Sequence, residues 1–280
     1  MRLAAVLAVT ALSFTPALAA DYLRGPLPEP AAKTGISQSW DWSGYTVSVH
    51  GLWGTGTADQ SGLANSVTNA TFPDLAATSA IAGLVNFGTP TLRGSGYGFA
   101  FGYNTQFDDV VLGLEGEYNR ASMTADSAFG PVARRLATTG TTQWDTTVSG
   151  SARTRVRDYG VLRARVGAAF DRFLPFVSAG LVVGRFNSTA SMSGTTQEMQ
   201  LYTDPNTNVQ SWIPLSGVLA SSGSVKTSGY SWGYAVGAGL DVAITDAIFA
   251  RGQWEYLGIG GASNVNIGLH TFKGGIGARF

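Results

Sequence analysis

Beyond its first forty residues the chain alternates one bulky apolar position with one small or polar position, over segments of about ten to fifteen residues. That two-residue period belongs to β-strands, because successive side chains of an extended backbone point to opposite faces. Eight such segments are predicted, roughly at 43–55, 93–106, 110–121, 155–170, 175–186, 228–244, 247–257 and 265–280. Three connections are tight: Phe107-Asp108-Asp109, Asp171-Arg172-Phe173-Leu174 and Thr245-Asp246 suit hairpin turns. Three others, 56–92, 122–154 and 187–227, are long and rich in Ser, Thr, Asn and Gly, and are expected to be loops; 258–264 is a shorter one. An even number of antiparallel strands with short turns at one end and long connections at the other is the pattern of a transmembrane β-barrel.

Side-chain volume decides which face points where. In the second segment Tyr97, Phe99, Phe101 and Tyr103 share one face, against Gly96, Gly98, Ala100 and Gly102. The sixth repeats this, with Tyr230, Trp232, Tyr234, Val236 and Leu240 against Ser231, Gly233, Ala235, Gly237 and Gly239. An eight-stranded barrel has an interior just wide enough for side chains to fill, so the bulky set must point outward, into lipid. Periodicity alone also fits a secreted barrel of the lipocalin type with the two faces inverted. The volume of the aromatic set and the breadth of the aromatic band argue for lipid outside.

The inward set then carries the charges. Glu115 and Glu117 oppose the face of Leu112, Leu114 and Tyr118, and Arg163 and Arg165 on the neighbouring strand oppose that of Leu162, Ala164 and Val166. Charges withdrawn from water need partners. The expectation is an interior salt-bridge network of Glu115, Glu117, Arg163 and Arg165, with Arg251, Glu255, Lys273 and Arg279 on the other side. Such a network reads as a stabilising plug, the alternative being a conductance pathway for small solutes.

The amino terminus is an address. Met1-Arg2, the apolar run Leu3 to Phe14 and the small residues Ala17-Leu18-Ala19 read as a signal peptide over 1–19, too short to span a bilayer as a helix. Residues 20–39, with Pro26, Pro28 and Pro30, read as an extended periplasmic leader, leaving 40–280 for the barrel.

Composition removes other classes. Charged residues are only 13% and 37 residues are glycine, against about 25% and 7% for ordinary soluble domains. With no cysteine there is no disulfide framework, thiol nucleophile or cysteine-ligated metal, and two histidines leave little for a histidine-built one; no cofactor is expected. Eighteen basic residues balance eighteen acidic ones, without the basic excess of a nucleic-acid binder. Alternation places His50 inward and His270 outward, so they share no site, and no Gly-x-Ser-x-Gly elbow occurs; no enzymatic activity is expected. The loop aspartates Asp59, Asp74, Asp126, Asp145 and Asp204 are too scattered for a calcium site. Arg134 and Arg135 in the second long connection are candidates for lipopolysaccharide phosphates, which arginine holds in a fork.

The opening Trp42-Ser43-Gly44-Tyr45, the run Val111-Leu112-Gly113-Leu114-Glu115-Gly116-Glu117-Tyr118, the stretch Leu162-Arg163-Ala164-Arg165-Val166-Gly167 followed by Asp171-Arg172, the strand Gly237-Ala238-Gly239-Leu240 and the ending Gly277-Ala278-Arg279-Phe280 resemble the small porin-like outer-membrane barrels of Gram-negative bacteria. These are the outer-membrane immunogenic or surface-antigen proteins, similar in architecture to the membrane domain of outer-membrane protein A. The resemblance covers about Trp40 to Phe280. It implies an all-β, eight-stranded barrel in the outer membrane with a structural and surface role. It also implies contact with outer-membrane lipid and lipopolysaccharide, and a terminal Phe280 read by the barrel-insertion machinery as an insertion signal. The length of the first and third long connections departs from the family pattern.

Overall fold

The computed structural model describes residues 40–73, 75, 78–260 and 265–280; the signal peptide and leader expected over 1–39 lie outside the described residues. The chain forms β1 (Gly44–Asp59), α1 (Leu63–Thr71), α2 (Thr78–Ala82), β2 (Thr91–Phe107), β3 (Val110–Thr139), β4 (Thr142–Ala168), β5 (Phe173–Thr203), β6 (Gln210–Pro214), β7 (Leu219–Ala243), β8 (Ile248–Ile259) and β9 (Asn266–Arg279). Antiparallel pairing runs β1-β2-β3-β4-β5-β7-β8-β9 and back to β1, closing a ring of eight, while the short β6 pairs only with the end of β5. Closure removes the unpaired sheet edges that lipid would not tolerate.

The three tight connections are hairpin turns at one end of the barrel, two of them using a positive φ at Asp108 (52°) and Asp171 (51°), a conformation that short polar aspartate accepts more readily than most residues. The opposite end differs from the expected loops. Residues 122–154 continue the ladder between β3 and β4 almost to the Gly140-Thr141 turn, and β5 and β7 stay paired from Phe173 and Val242 out to Thr196 and Leu219. The wall therefore rises on one side into a tall arm of β3, β4, β5 and β7. The first long connection folds into α1 and α2 instead.

Alternation has one sense within the bilayer and the opposite sense above it. At the outward positions from Tyr45 to Trp53, Tyr97 to Phe107, Val110 to Tyr118 and Tyr230 to Leu240, the bulky apolar side chains are exposed. Farther up the arm Met123, Ala125, Val148, Ala152, Val156, Ala190 and Met192 point inward and are buried, while Arg120, Asp126, Arg153, Arg185 and Ser191 face out. The same period thus serves two solvents: hydrocarbon around the lower wall and water around the arm.

That inward apolar cup is filled by the first connection. α1 places Leu63, Ala64, Val67, Thr68 and Thr71 on one face at three- and four-residue spacing, all buried. Phe72, Ile81, Val85 and Phe87 join them in one cluster with Met123, Val148 and Phe186. Gln60 anchors the start of the connection: it is fully buried, its amide donates to Ala125 O (3.3 Å) and Thr154 Oγ1 (3.0 Å), and its carbonyl accepts from Ser127 Oγ (2.6 Å). At the short-turn end a second apolar cluster of Trp42, Val111, Ala169, Leu174, Ala243 and Phe249 closes the floor, with Trp42 edge-on to Phe249 at 6.4 Å.

Candidate functional site in the barrel lumen

Between the apolar cup and the apolar floor lies a layer of charge. Antiparallel register sets Glu115 directly across from Arg163 and Asp241 directly across from Arg251, so partners on neighbouring strands meet without any loop to position them. The long side chains need space, and small residues opposite supply it: a Cβ on Gly113 would sit 2.9 Å from Arg165 Cγ, and one on Gly180 would sit 2.7 Å from Arg163 Cβ. Glycine here is a matter of lumen volume rather than of backbone freedom.

Four carboxylates and four cations interlock. Arg163 Nη1 donates to Glu255 Oε1 at 2.6 Å, its Nη2 to Glu117 Oε2 at 2.6 Å, and its Nε to Glu115 Oε1 at 3.1 Å. Lys273 Nζ donates to Glu255 Oε2 at 2.6 Å and also to Glu117. Arg251 Nη1 donates to Glu115 Oε2 at 2.5 Å, and its Nε and Nη2 grip Asp241 at 2.7 and 2.9 Å. Arg165 Nη2 donates to Asp241 Oδ2 at 2.6 Å. All eight are buried. The charges cancel within the layer, which is the condition under which ionised groups are held out of water.

Aromatic rings complete the coordination. The Arg165 guanidinium lies 4.3 Å from the Phe176 ring centre, and Arg251 lies between Phe176 (5.4 Å) and Phe249 (5.3 Å). On the cup side Asn119 donates to Glu117 Oε1 at 2.5 Å and meets His50 Nε2 at 2.7 Å, so the inward histidine caps the layer. His270 faces outward, tilted against Tyr256 at 4.9 Å and stacked near Trp254 at 5.9 Å, on the other side of the wall from His50.

The structure brings together seven of the eight lumen charges singled out from the sequence and leaves one apart. Arg279 is not in the layer: its guanidinium donates to Asp246 O at 3.0 Å, reaches toward Ser43 O at 3.5 Å and sits over the Trp40 ring at 5.4 Å, all at the short-turn mouth. Parity along β9 gives Arg279 the same face as Lys273, but six residues of strand separate them, about 20 Å. At the same mouth the Ser43 backbone N–H donates to Asp41 at 2.8 Å and holds that carboxyl below the usual carboxylate range. The eighth member of the layer is instead Asp241, which sequence reasoning missed.

Three levels of side chains therefore stack inside the barrel, the apolar floor, the charge layer and the apolar cup, and an arrangement of this kind can hold a wall rigid. Among the described residues no group of three or more acidic or histidine side chains forms a metal site. The closed, lipid-facing ring with a polar, filled interior decides the kind of protein, and the family comparison agrees with it, matching a model described as the outer-membrane protein beta-barrel domain over residues 4–280. The chain belongs to this family of outer-membrane barrels. The short turns accordingly face the periplasm and the tall arm faces outside. Among solved structures it is similar to the attachment invasion locus protein Ail of Yersinia pestis, at 12% identity over 85% of this chain and 99% of that one, with a TM-score of 0.35. It is also similar to Neisserial surface protein A (12% identity, 85% and 98% coverage, TM-score 0.35) and to the N-terminal barrel domain of Pseudomonas aeruginosa OprF (15%, 84% and 97%, TM-score 0.29). No curated protein matches the sequence.

Arg134 and Arg135 sit near the far end of the arm, where Arg135 pairs with Asp145 at 3.5 Å on the surface. Phe280 ends the chain on the lipid-facing side of β9, its backbone N–H donating to Tyr45 O at 3.0 Å and its own carbonyl accepting from Tyr45 N at 2.9 Å.

Proposed function

We propose that this barrel is a closed structural element of the outer membrane that presents its arm for contact with the outside, a surface-antigen type of role. The observation that carries this reading is the lumen, filled from the Phe249 floor through the charge layer to the α1–α2 cork, which leaves the arm as the part free to act. Weak passage of small solutes is the competing role, and it requires a water column through that layer. The reading assigns no catalysis to the barrel. In it, Phe280 is the aromatic recognised by the insertion machinery, being exposed on the last strand where a partner can reach it.

The surface role has a direct test. An epitope inserted at Gly140-Thr141 or in the 204–209 turn is expected to bind antibody on intact cells, and one inserted at Asp171-Arg172 only after the outer membrane is permeabilised. Labelling of the Asp171-Arg172 insertion on intact cells, or silence of both arm insertions, contradicts the reading.

A further inference from the structure

The outer part of the arm exposes apolar side chains where no hydrocarbon of its own membrane is in reach. Leu219 stands eleven residues, about 36 Å along the strand, above Tyr230, the uppermost bulky side chain of the lipid-facing band on β7. There Val209, Ile213, Leu215, Val218 and Leu219 are each 40–63% exposed. Large apolar groups gathered in this way and held in water mark a contact surface.

They lie along an open edge of the sheet. β6 pairs with β5 alone, and β7 pairs with β5 alone until β8 joins it at Gly233. Between the two, the bend at 215–218 stays on β5: Leu215 N donates to Glu198 O at 2.8 Å and Gln197 Nε2 donates to Ser216 O at 3.1 Å. Residues 210–232 therefore make one long edge, and no strand among the described residues pairs with its outer side. The arm's other edge, β3 above Thr124, is guarded in the usual ways, by Pro131 and by the charges of Asp126, Arg134 and Arg135. On β6 and β7 the guard is Pro214 without any charge: the twenty-one residues from Pro205 to Val225 include no charged side chain, and Lys226 is the first.

The absence of charge selects the partner. When an edge meets its own copy about a two-fold axis, each patch faces the same patch on the other chain, and a charge near the axis would face its own like. A neutral, apolar edge with unpaired backbone groups is self-complementary under that symmetry. We propose that the edge from Val209 to Val225 is a homotypic contact surface that pairs with the same edge of a second copy of this chain. Antiparallel pairing about a two-fold axis normal to the sheet points the two barrels in opposite directions, so the second copy stands in a facing membrane. The inference rests on the reading that the arm faces outside, and it names the partner the arm meets there.

The test uses phosphatidylcholine vesicles into which the mature chain is refolded from outside, so that the long polar arm stays on the outer surface, and reads clustering by light scattering. Vesicles carrying the unaltered chain are expected to cluster. L215E/L219E and L215K/L219K are each expected to raise the protein density needed for clustering about tenfold or more, the scale of withdrawing one leucine from a buried contact. A mixture of the two populations is expected to cluster again, because glutamate then faces lysine. V218E and V218K supply a second pair should the first fail to show heat-modifiable migration, the sign of a folded barrel. Unclustered vesicles of the unaltered chain, undiminished clustering of a folded variant alone, failure of the mixture to recover, or clustering with protein-free vesicles, which would make the occupant a bilayer, overturns the proposal. Antibody against an epitope at Gly140-Thr141 separates this from the reading beneath it. With the epitope exposed on the vesicles, a lack of clustering overturns the homotypic contact alone, whereas an epitope silent on intact cells overturns the outward-facing arm.

Discussion

Replacing Arg163 with methionine is expected to destabilise the folded barrel by about 3–5 kcal/mol, the range found when one partner of a buried ion pair is removed. Methionine keeps most of the side-chain volume, so the destabilisation measures charge rather than a cavity. Arg163 bridges Glu115, Glu117 and Glu255, and without it four carboxylates face three cations in a layer closed to water. Urea unfolding in lipid vesicles, followed through the lipid-exposed Trp53, Trp232 and Trp254, reads the change directly. The compensated double variant Arg163→Met/Glu115→Gln restores neutrality and is expected to recover most of the stability. A double variant as unstable as the sum of its parts would mean that packing, and not charge balance, holds the layer.

The second large effect is at Asp241. Asp241→Asn keeps the shape and removes the charge that holds Arg165 at 2.6 Å and Arg251 at 2.7 Å, leaving the layer with one cation too many. The expected cost is again about 3–5 kcal/mol, and Arg165→Met in the same chain is expected to relieve it. Arg279→Met provides the contrast: at the periplasmic mouth it bonds backbone carbonyls rather than carboxylates, and a change within about 0.5 kcal/mol is expected, as for surface positions in general. The same unfolding measurement ranks the three. An Arg279 variant as damaged as the Asp241 variant would place the boundary of the layer in the wrong position.

These two residues mark where sequence reasoning reaches its limit. Strand period and side-chain volume make the inward and outward faces legible, because a one-residue error would expose every charge to lipid. β3 and β4 are neighbours, and Glu115 and Glu117 can be set beside Arg163 and Arg165 from the alternation of the two strands, although the long connection 122–154 between them leaves their register unset until the structure pairs Glu115 with Arg163. Height along the barrel is harder: parity says which face Arg279 shares with Lys273 but not that it stands a bilayer leaflet away. Asp241 follows the small-residue run Gly237-Ala238-Gly239-Leu240 and lies close to a turn, where aspartate usually marks the turn itself. The arm was legible in principle but reads as loop, since its inward positions, such as Ala121, Ala125, Ala152 and Ala190, are small and its outward ones include many Ser and Thr. In water the alternation is inverted relative to lipid, and a search tuned to bulky outward residues stops at the membrane surface.

The central claim is that the lumen is closed by its own side chains, and planar-bilayer recording of the purified, refolded mature chain tests it most directly. The account predicts a silent bilayer from protein that shows heat-modifiable migration and resists urea extraction from membranes. Reproducible unitary steps from the unaltered chain would contradict it, and would make Glu115, Glu117, Arg163 and Arg251 the lining of a pore.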